Sequence, residues 1–164
     1  MSECKTISAA QLRALGAEAA ALPRRRKNLN LHPVLEDPIQ RLFNALALGT
    51  YVRPHRHDRA EGWELMLAAR GAFSILIFND TGLILERHDL STTGSLAAVE
   101  IPARAWHAVV VMAPDTVMFE VKPGPYSPVA DKDFAAWAPL EGAPETAQWV
   151  AWYETAQPGE RPPA

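Results

Sequence analysis

Apolar positions fall into two regimes along the chain. Between residues 7 and 22 they recur at helical spacing, with Leu12, Leu15, Ala19 and Leu22 on one narrow stripe. Ser8 stands where an N-cap is needed, Gln11 completes a capping box, and Ile7 can staple onto Leu12. Pro23 then stops the helix. The spacing predicts one helix with a single buried face, lying against the outside of the remaining fold.

From about residue 39 the period shortens to two. Runs rich in Val, Ile, Phe and Leu occupy 39–47, 50–57, 63–70, 72–79, 83–90, 97–102, 106–112 and 116–122, separated by turn residues. Asn79-Asp80-Thr81-Gly82 is a strong hairpin signal, and the loop at 91–95 breaks the next pair. A row of short strands without intervening helices predicts an all-β antiparallel sandwich or jelly-roll barrel. After Lys122 the stretch 123–128 carries three prolines and cannot be a central strand. Trp149, Trp152 and Tyr153 return at helical spacing and predict a short helix packed on the barrel, followed by a frayed Pro-rich tail. The expected division is 1–36 for the N-terminal helix and a basic loop, 37–128 for the barrel, and 129–164 for the C-terminal extension and tail.

At 164 residues and 48% hydrophobic content, one core and one domain are expected. Sixteen basic and 19 acidic residues leave a net charge of -3, spread along the chain, so no strong field favours nucleic acid. The one basic cluster, at 23–27, reads as a solvated loop rather than a phosphate site. A single cysteine, Cys4, fits a reducing compartment. Neither a secretory leader nor a membrane span is expected, which predicts a cytoplasmic protein with no membrane partner.

Candidate chemistry concentrates in 49–57. On a strand, Tyr51, Arg53, His55 and His57 share one face, and two imidazoles two residues apart can chelate one ion. Taken alone, such a pair reads equally well as exposed polar residues. His107, where a Pro-containing turn leads into an apolar strand, can return opposite the pair. Glu64 is a carboxylate inside an apolar run, and such groups are rarely buried unless paired or bound to metal. Together the four suit three nitrogens and one oxygen around one divalent ion: iron, manganese, nickel, cobalt or zinc.

Gly49, His55, His57, Glu64 and Gly71 resemble the first cupin motif, and Pro102 with His107 resembles the second. Six residues separate His57 from Glu64, more than that motif usually carries, so 58–63 reads as a small insertion and Glu61 rivals Glu64 for the ligand role. Arg104 stands where the motif has Gly, and Val111 where it has Asn. The segments 26–33, 37–46, 51–57, 119–126 and 132–139 are together similar to the WbuC-type cupin-fold metalloproteins. That resemblance implies a cupin jelly roll, a metal site at His55, His57, Glu64 and His107, and an association with surface-polysaccharide biosynthesis.

Around the metal ligands, Tyr51, Arg53, Glu120 and Lys122 are the catalytic candidates. Arg53 can clamp an anion or pair with Glu120, while Glu120 and Lys122 can approach the pocket or pair with each other. Asn30 and His32 could close over the barrel mouth, and His88 reads as a surface residue. The functions expected are a metal-dependent enzyme on a small polar metabolite, such as a sugar or nucleotide-sugar derivative, or a non-catalytic binding or regulatory module. A homodimer is expected from the liability of open sheet edges and from what small cupins commonly do.

Overall fold

The computed structural model describes residues 4–126 and 133–163. Two antiparallel sheets of five strands face each other, with one helix on the outside of each. In chain order the elements are α1 (Ala9–Ala21), β1 (Arg26–Asn30), β2 (Ile39–Leu46), β3 (His55–Arg56), β4 (Glu64–Arg70), β5 (Ala72–Phe78), β6 (Ile84–Ser91), β7 (Ala98–Ile101), β8 (Trp106–Val111), β9 (Thr116–Pro123), β10 (Asp133–Phe134) and α2 (Thr146–Thr155). The first sheet runs β1-β2-β9-β4-β7 and the second β10-β3-β8-β5-β6. From β2 onward successive strands lie in opposite sheets except for the β5–β6 hairpin, as in a jelly roll.

The interior splits into three apolar layers because both sheets are buried on two faces. Ser8 caps α1 through the expected capping box, and Leu12, Leu15 and Ala19 pack on Ala45 and Val117, on the outer face of the first sheet. Leu22, expected on the same stripe, is exposed because it is the C-cap residue in extended backbone rather than helix. Between the sheets lie Leu46, Met66, Phe73, Ile75, Val109, Val111 and Met118. On the outer face of the second sheet, Leu76, Phe78, Ala108 and Val110 meet Trp149, Val150 and Tyr153 of α2. This double burial is why 106–111 reads as a nearly unbroken apolar run: alternate residues serve different layers.

The eight expected strands are present with end shifts, except for the second. Only His55–Arg56 of 50–57 joins a sheet, since Pro54 has no amide to donate and Thr50–Arg53 lie outside the ladders. Strand β1 falls within the segment read as a basic loop, and it pairs along its length with β2 from Arg26↔Leu46 to Asn30↔Leu42. The expected frayed tail is tied down as far as residue 160: the Ile84 amide donates to the Glu160 carbonyl at 3.0 Å, and the Gly159 amide to the Ile84 carbonyl at 2.8 Å. The boundary drawn between 128 and 129, and Lys132 of the family-like segment, lie outside the described residues. No helix among the described residues is long and apolar enough to cross a membrane.

Candidate metal centre

Four elements bring the ligand candidates together. His55 stands opposite His107 in the β3–β8 ladder, and His107 is also opposite Ile77 of β5. Alternation along β8 turns His107, Val109 and Val111 toward the space between the sheets, so the histidine sits at the polar end of an apolar wall. His57 follows β3 by one residue, and Glu64 opens β4, the strand of the opposing sheet. All four side chains are buried, at 4%, 2%, 2% and 1% exposure for His55, His57, Glu64 and His107. One ligand atom from each lies within 4.8 Å of every other.

The donor set fits a divalent ion. The ring Nδ1 of His55 lies 3.0 Å from the Arg53 carbonyl and that of His107 3.0 Å from the Ala105 carbonyl. A carbonyl only accepts, so each Nδ1 carries the proton and each Nε2 presents a lone pair. His57 Nε2 is 2.9 Å from Glu64 Oε1 and His107 Nε2 is 3.0 Å from Glu64 Oε2. For the His107 pair the distance is that of a hydrogen bond but the alignment is not, as for ligand atoms directed at a common point. Burial pushes the Glu64 carboxyl up, but the Lys122 ammonium opposes it, and the net effect holds the carboxyl well below the usual range. Glu64 therefore stays a carboxylate across the physiological range.

Glu64 is the ligand candidate and Glu61 is exposed in the inserted turn. Arg59 ties that turn down by donating to the carbonyls of Pro123 and Pro125, at 2.7 and 3.2 Å. Gly62 closes the insertion against His57, where a Cβ would lie 2.8 Å from both the His57 Cβ and its carbonyl. Arg104, standing where the motif has Gly, has a φ of 67°, the left-handed conformation that explains the motif's preference. Gly49 and Gly71 likewise have φ of 81° and 64°.

The other candidates separate. Arg53 and Glu120 line a cavity of about 390 Å³ in front of His55 and Glu64. Arg53 does not pair with Glu120; its Nη2 donates to the Ala135 carbonyl at 2.7 Å, and its guanidinium lies 5.4 Å from the Phe134 ring centre. Lys122 bridges the carboxylates of Glu64 and Glu120, at 3.1 and 3.0 Å. Tyr51 does not reach the centre. Its hydroxyl donates to the Pro139 carbonyl, its ring stacks on Tyr153, and burial pushes its pKa up to about 12. His88 pairs with Glu86 on the hairpin.

Two groups at the cavity were not expected from sequence. Arg24 and Arg26 are held by Glu141, each at 2.7 Å, so the basic cluster is in part a wall of the cavity rather than only a solvated loop. No local signal links residues so far apart in the chain. His32 and Asn30, read as either a lid or simply exposed loop residues, instead line a second chamber, with His32 buried.

A two-sheet cupin barrel with a buried His-His-Glu-His group able to hold a divalent metal is the class this structure defines. The chain belongs to the family described as Domain of unknown function (DUF6016), whose model matches residues 7–90 and so includes His55, His57 and Glu64. No curated protein matches the chain. Among solved structures, a cupin superfamily protein of Desulfitobacterium hafniense is 19% identical over 60% of this chain and 76% of that one, with a TM-score of 0.44. Oxalate oxidase in complex with the substrate analogue glycolate is 13% identical over 70% of this chain and 57% of that one, at 0.54. CapF with the inhibitor 3-isopropenyl-tropolone is 20% identical over 69% of this chain and 32% of that one, at 0.57. These likenesses are of fold.

Proposed function

We propose that the protein is a metal-dependent cupin that takes a small anionic metabolite at one divalent ion held by His55, His57, Glu64 and His107. The observation that carries this reading is the arrangement of cations around the cavity in front of the ligand set. Arg24, Arg26 and Arg53 line it, and Arg53 Nε is buried without a hydrogen-bond partner among the described residues. A guanidinium so placed suits a carboxylate or phosphate, whose oxygens accept in the plane of its donors. Bound there, a divalent ion supplies Lewis acidity, polarising an oxygen or lowering the pKa of water toward about 7. The chain's own residues bind and orient: Arg53 anchors the anion, and Glu120, held by Lys122, presents a carboxylate to the same space. Iron, manganese, nickel, cobalt and zinc all accept three nitrogens and a carboxylate. The WbuC-type resemblance points to a sugar or nucleotide-sugar derivative of surface-polysaccharide metabolism as the metabolite.

One observation favours a second reading, a non-catalytic ligand-binding or regulatory module. The acid-base candidates nearest the ligands are paired with one another, Lys122 with Glu64 and Glu120. Recovery of a bound ligand chemically unchanged separates this reading from the first.

Oxalate oxidase is the neighbour whose bound molecule is a small hydroxy acid, glycolate, so glycolate is the test ligand. Titrated into the Mn²⁺-loaded protein, it should perturb water-proton relaxation at the ion, and Arg53→Gln should weaken binding at least tenfold. Equal glycolate binding with and without metal, or no effect of Arg53→Gln, would sink the reading.

A further inference from the structure

Beyond Glu120 a second chamber of about 220 Å³ lies over the inner face of the neighbouring strands β1, β2 and β9. It shares Asn28, Asn44, Glu120 and Tyr126 with the cavity in front of the metal centre, so the two spaces adjoin along one wall. Its lining is polar: Asn28, Asn30, His32, Gln40 and Asn44 face it with Leu42, and its charges are Glu120 and Lys122, paired with each other at 3.0 Å. Gln40 donates to the carbonyls of Leu35 and Asp37 at 3.1 and 2.8 Å, holding the loop between β1 and β2 against it.

Two buried polar atoms there have no hydrogen-bond partner among the described residues: His32 Nε2 and Asn44 Oδ1. The character of the first follows from its other nitrogen. The Arg41 amide, which can only donate, has His32 Nδ1 as its acceptor at 3.1 Å, whereas the Arg41 carbonyl, 3.0 Å from the same nitrogen, is satisfied by the Leu31 amide at 2.8 Å without it. Nδ1 is therefore the acceptor, and the ring proton sits on Nε2. The chamber thus holds an unanswered donor on a side chain 7% exposed and an unanswered acceptor on the neighbouring strand. An apolar group would leave both unsatisfied, and an anion would answer only the donor while meeting the Glu120 carboxylate, since Lys122, which also lines the chamber, is already shared between Glu64 and Glu120. A hydroxyl donates and accepts, and answers both.

We infer that this chamber is a subsite for the hydroxylated tail of a ligand whose anionic head lies at the metal centre, which makes the ligand class a polyhydroxylated carboxylate. The inference rests on the proposed function and specifies its substrate class. The head occupies the cation-lined cavity by Arg53, and the tail passes Glu120 and Asn44 to reach His32.

Glycolate and D-gluconate carry the same 2-hydroxycarboxylate head, and gluconate adds a hydroxylated tail, so titration of both into the Mn²⁺-loaded protein isolates the second chamber. Gluconate should bind at least tenfold tighter than glycolate. His32→Phe should remove that advantage while leaving glycolate affinity and metal content unchanged, Asn44→Leu should remove it as well, and His32→Gln, which keeps a donor, should retain part of it. Equal affinity for the two ligands in the unmodified protein, or an advantage that survives in both His32→Phe and Asn44→Leu, overturns the subsite. Failure of glycolate itself to bind the loaded protein overturns the proposed function instead, and the subsite with it.

Discussion

Gly62 packs directly on His57: a methyl group at residue 62 would lie 2.8 Å from the His57 Cβ and 2.8 Å from its carbonyl oxygen. The inserted turn between the two halves of the first motif is therefore a part of the ligand's support. Gly62→Ala should overpack this contact at a cost of about 1–3 kcal/mol and displace His57. Metal affinity should fall together with the thermal midpoint. Gly71→Ala offers the contrast, since its methyl group would meet Thr116 and its φ is 64°. It should cost stability without a matching loss of metal from the folded protein. Unchanged metal affinity in Gly62→Ala would show that His57 tolerates the displacement.

Glu64 and Glu61 are distinguished by burial. Glu64→Gln removes the one carboxylate from the candidate ligand set, and with it the negative charge that Lys122 meets there. Metal affinity should drop roughly tenfold or more, the scale at which even supporting groups act. Glu61→Gln should leave metal binding and stability unchanged. Competition with a fluorescent chelator measures both, and the reverse order of effects would reassign the ligand.

At residue 104 an arginine occupies a left-handed conformation with φ of 67°. Its exposed pair with Asp58, at 3.2 Å, offsets little of that strain. Arg104→Gly should therefore stabilise the protein by about 1 kcal/mol, as the relief of one residue's left-handed penalty suggests. Urea denaturation checks this, with metal content as the control. A loss of stability would mean that the side chain makes a contribution its contacts do not explain.

Glu141 links the segment before α2 to the arginines at the cavity. Burial pushes its carboxyl up, but bonds to Arg24 and Arg26 outweigh that and hold the pKa below its ordinary value of 4.5. A depressed carboxylate contributes stability that is present above the unfolded-state pKa and is lost as pH falls through the folded one. The difference in stability between wild type and Glu141→Gln should thus be constant near neutrality and shrink below about pH 4.5. Denaturation midpoints at several pH values report it, and a difference that grows on acidification would contradict the assignment.

Strands were legible in the sequence wherever one side of a strand is apolar. The run 116–122 alternates so that Met118, Glu120 and Lys122 turn inward and Val117 turns toward α1, as its period indicates. Strand β1 escaped because its only apolar residue is Leu29; its inward positions are Arg26, Asn28 and Asn30, which line cavities instead of filling a core. The same polar lining hid the second chamber, since an Asn facing a cavity and an Asn facing solvent give one signal. Tyr51 was placed with the histidines by a period-two rule that holds within a strand, and the chain before Pro54 is not in one. The buried cluster of three histidines and Glu64 is legible because those residue types at that spacing stand out, whereas Gly62 and Glu141 act through contacts that spacing does not encode.

Metal content of the folded protein tests the central claim most directly. After loading with Mn²⁺ or Zn²⁺ and gel filtration, elemental analysis should return close to one ion per chain for the unmodified protein. His55→Ala and His107→Ala each remove one of the three nitrogens and should reduce that to a small fraction, with folding confirmed by circular dichroism. Loading should also decline on acidification, because protons compete for the imidazole lone pairs. Stoichiometric metal retained in both folded variants would contradict the account.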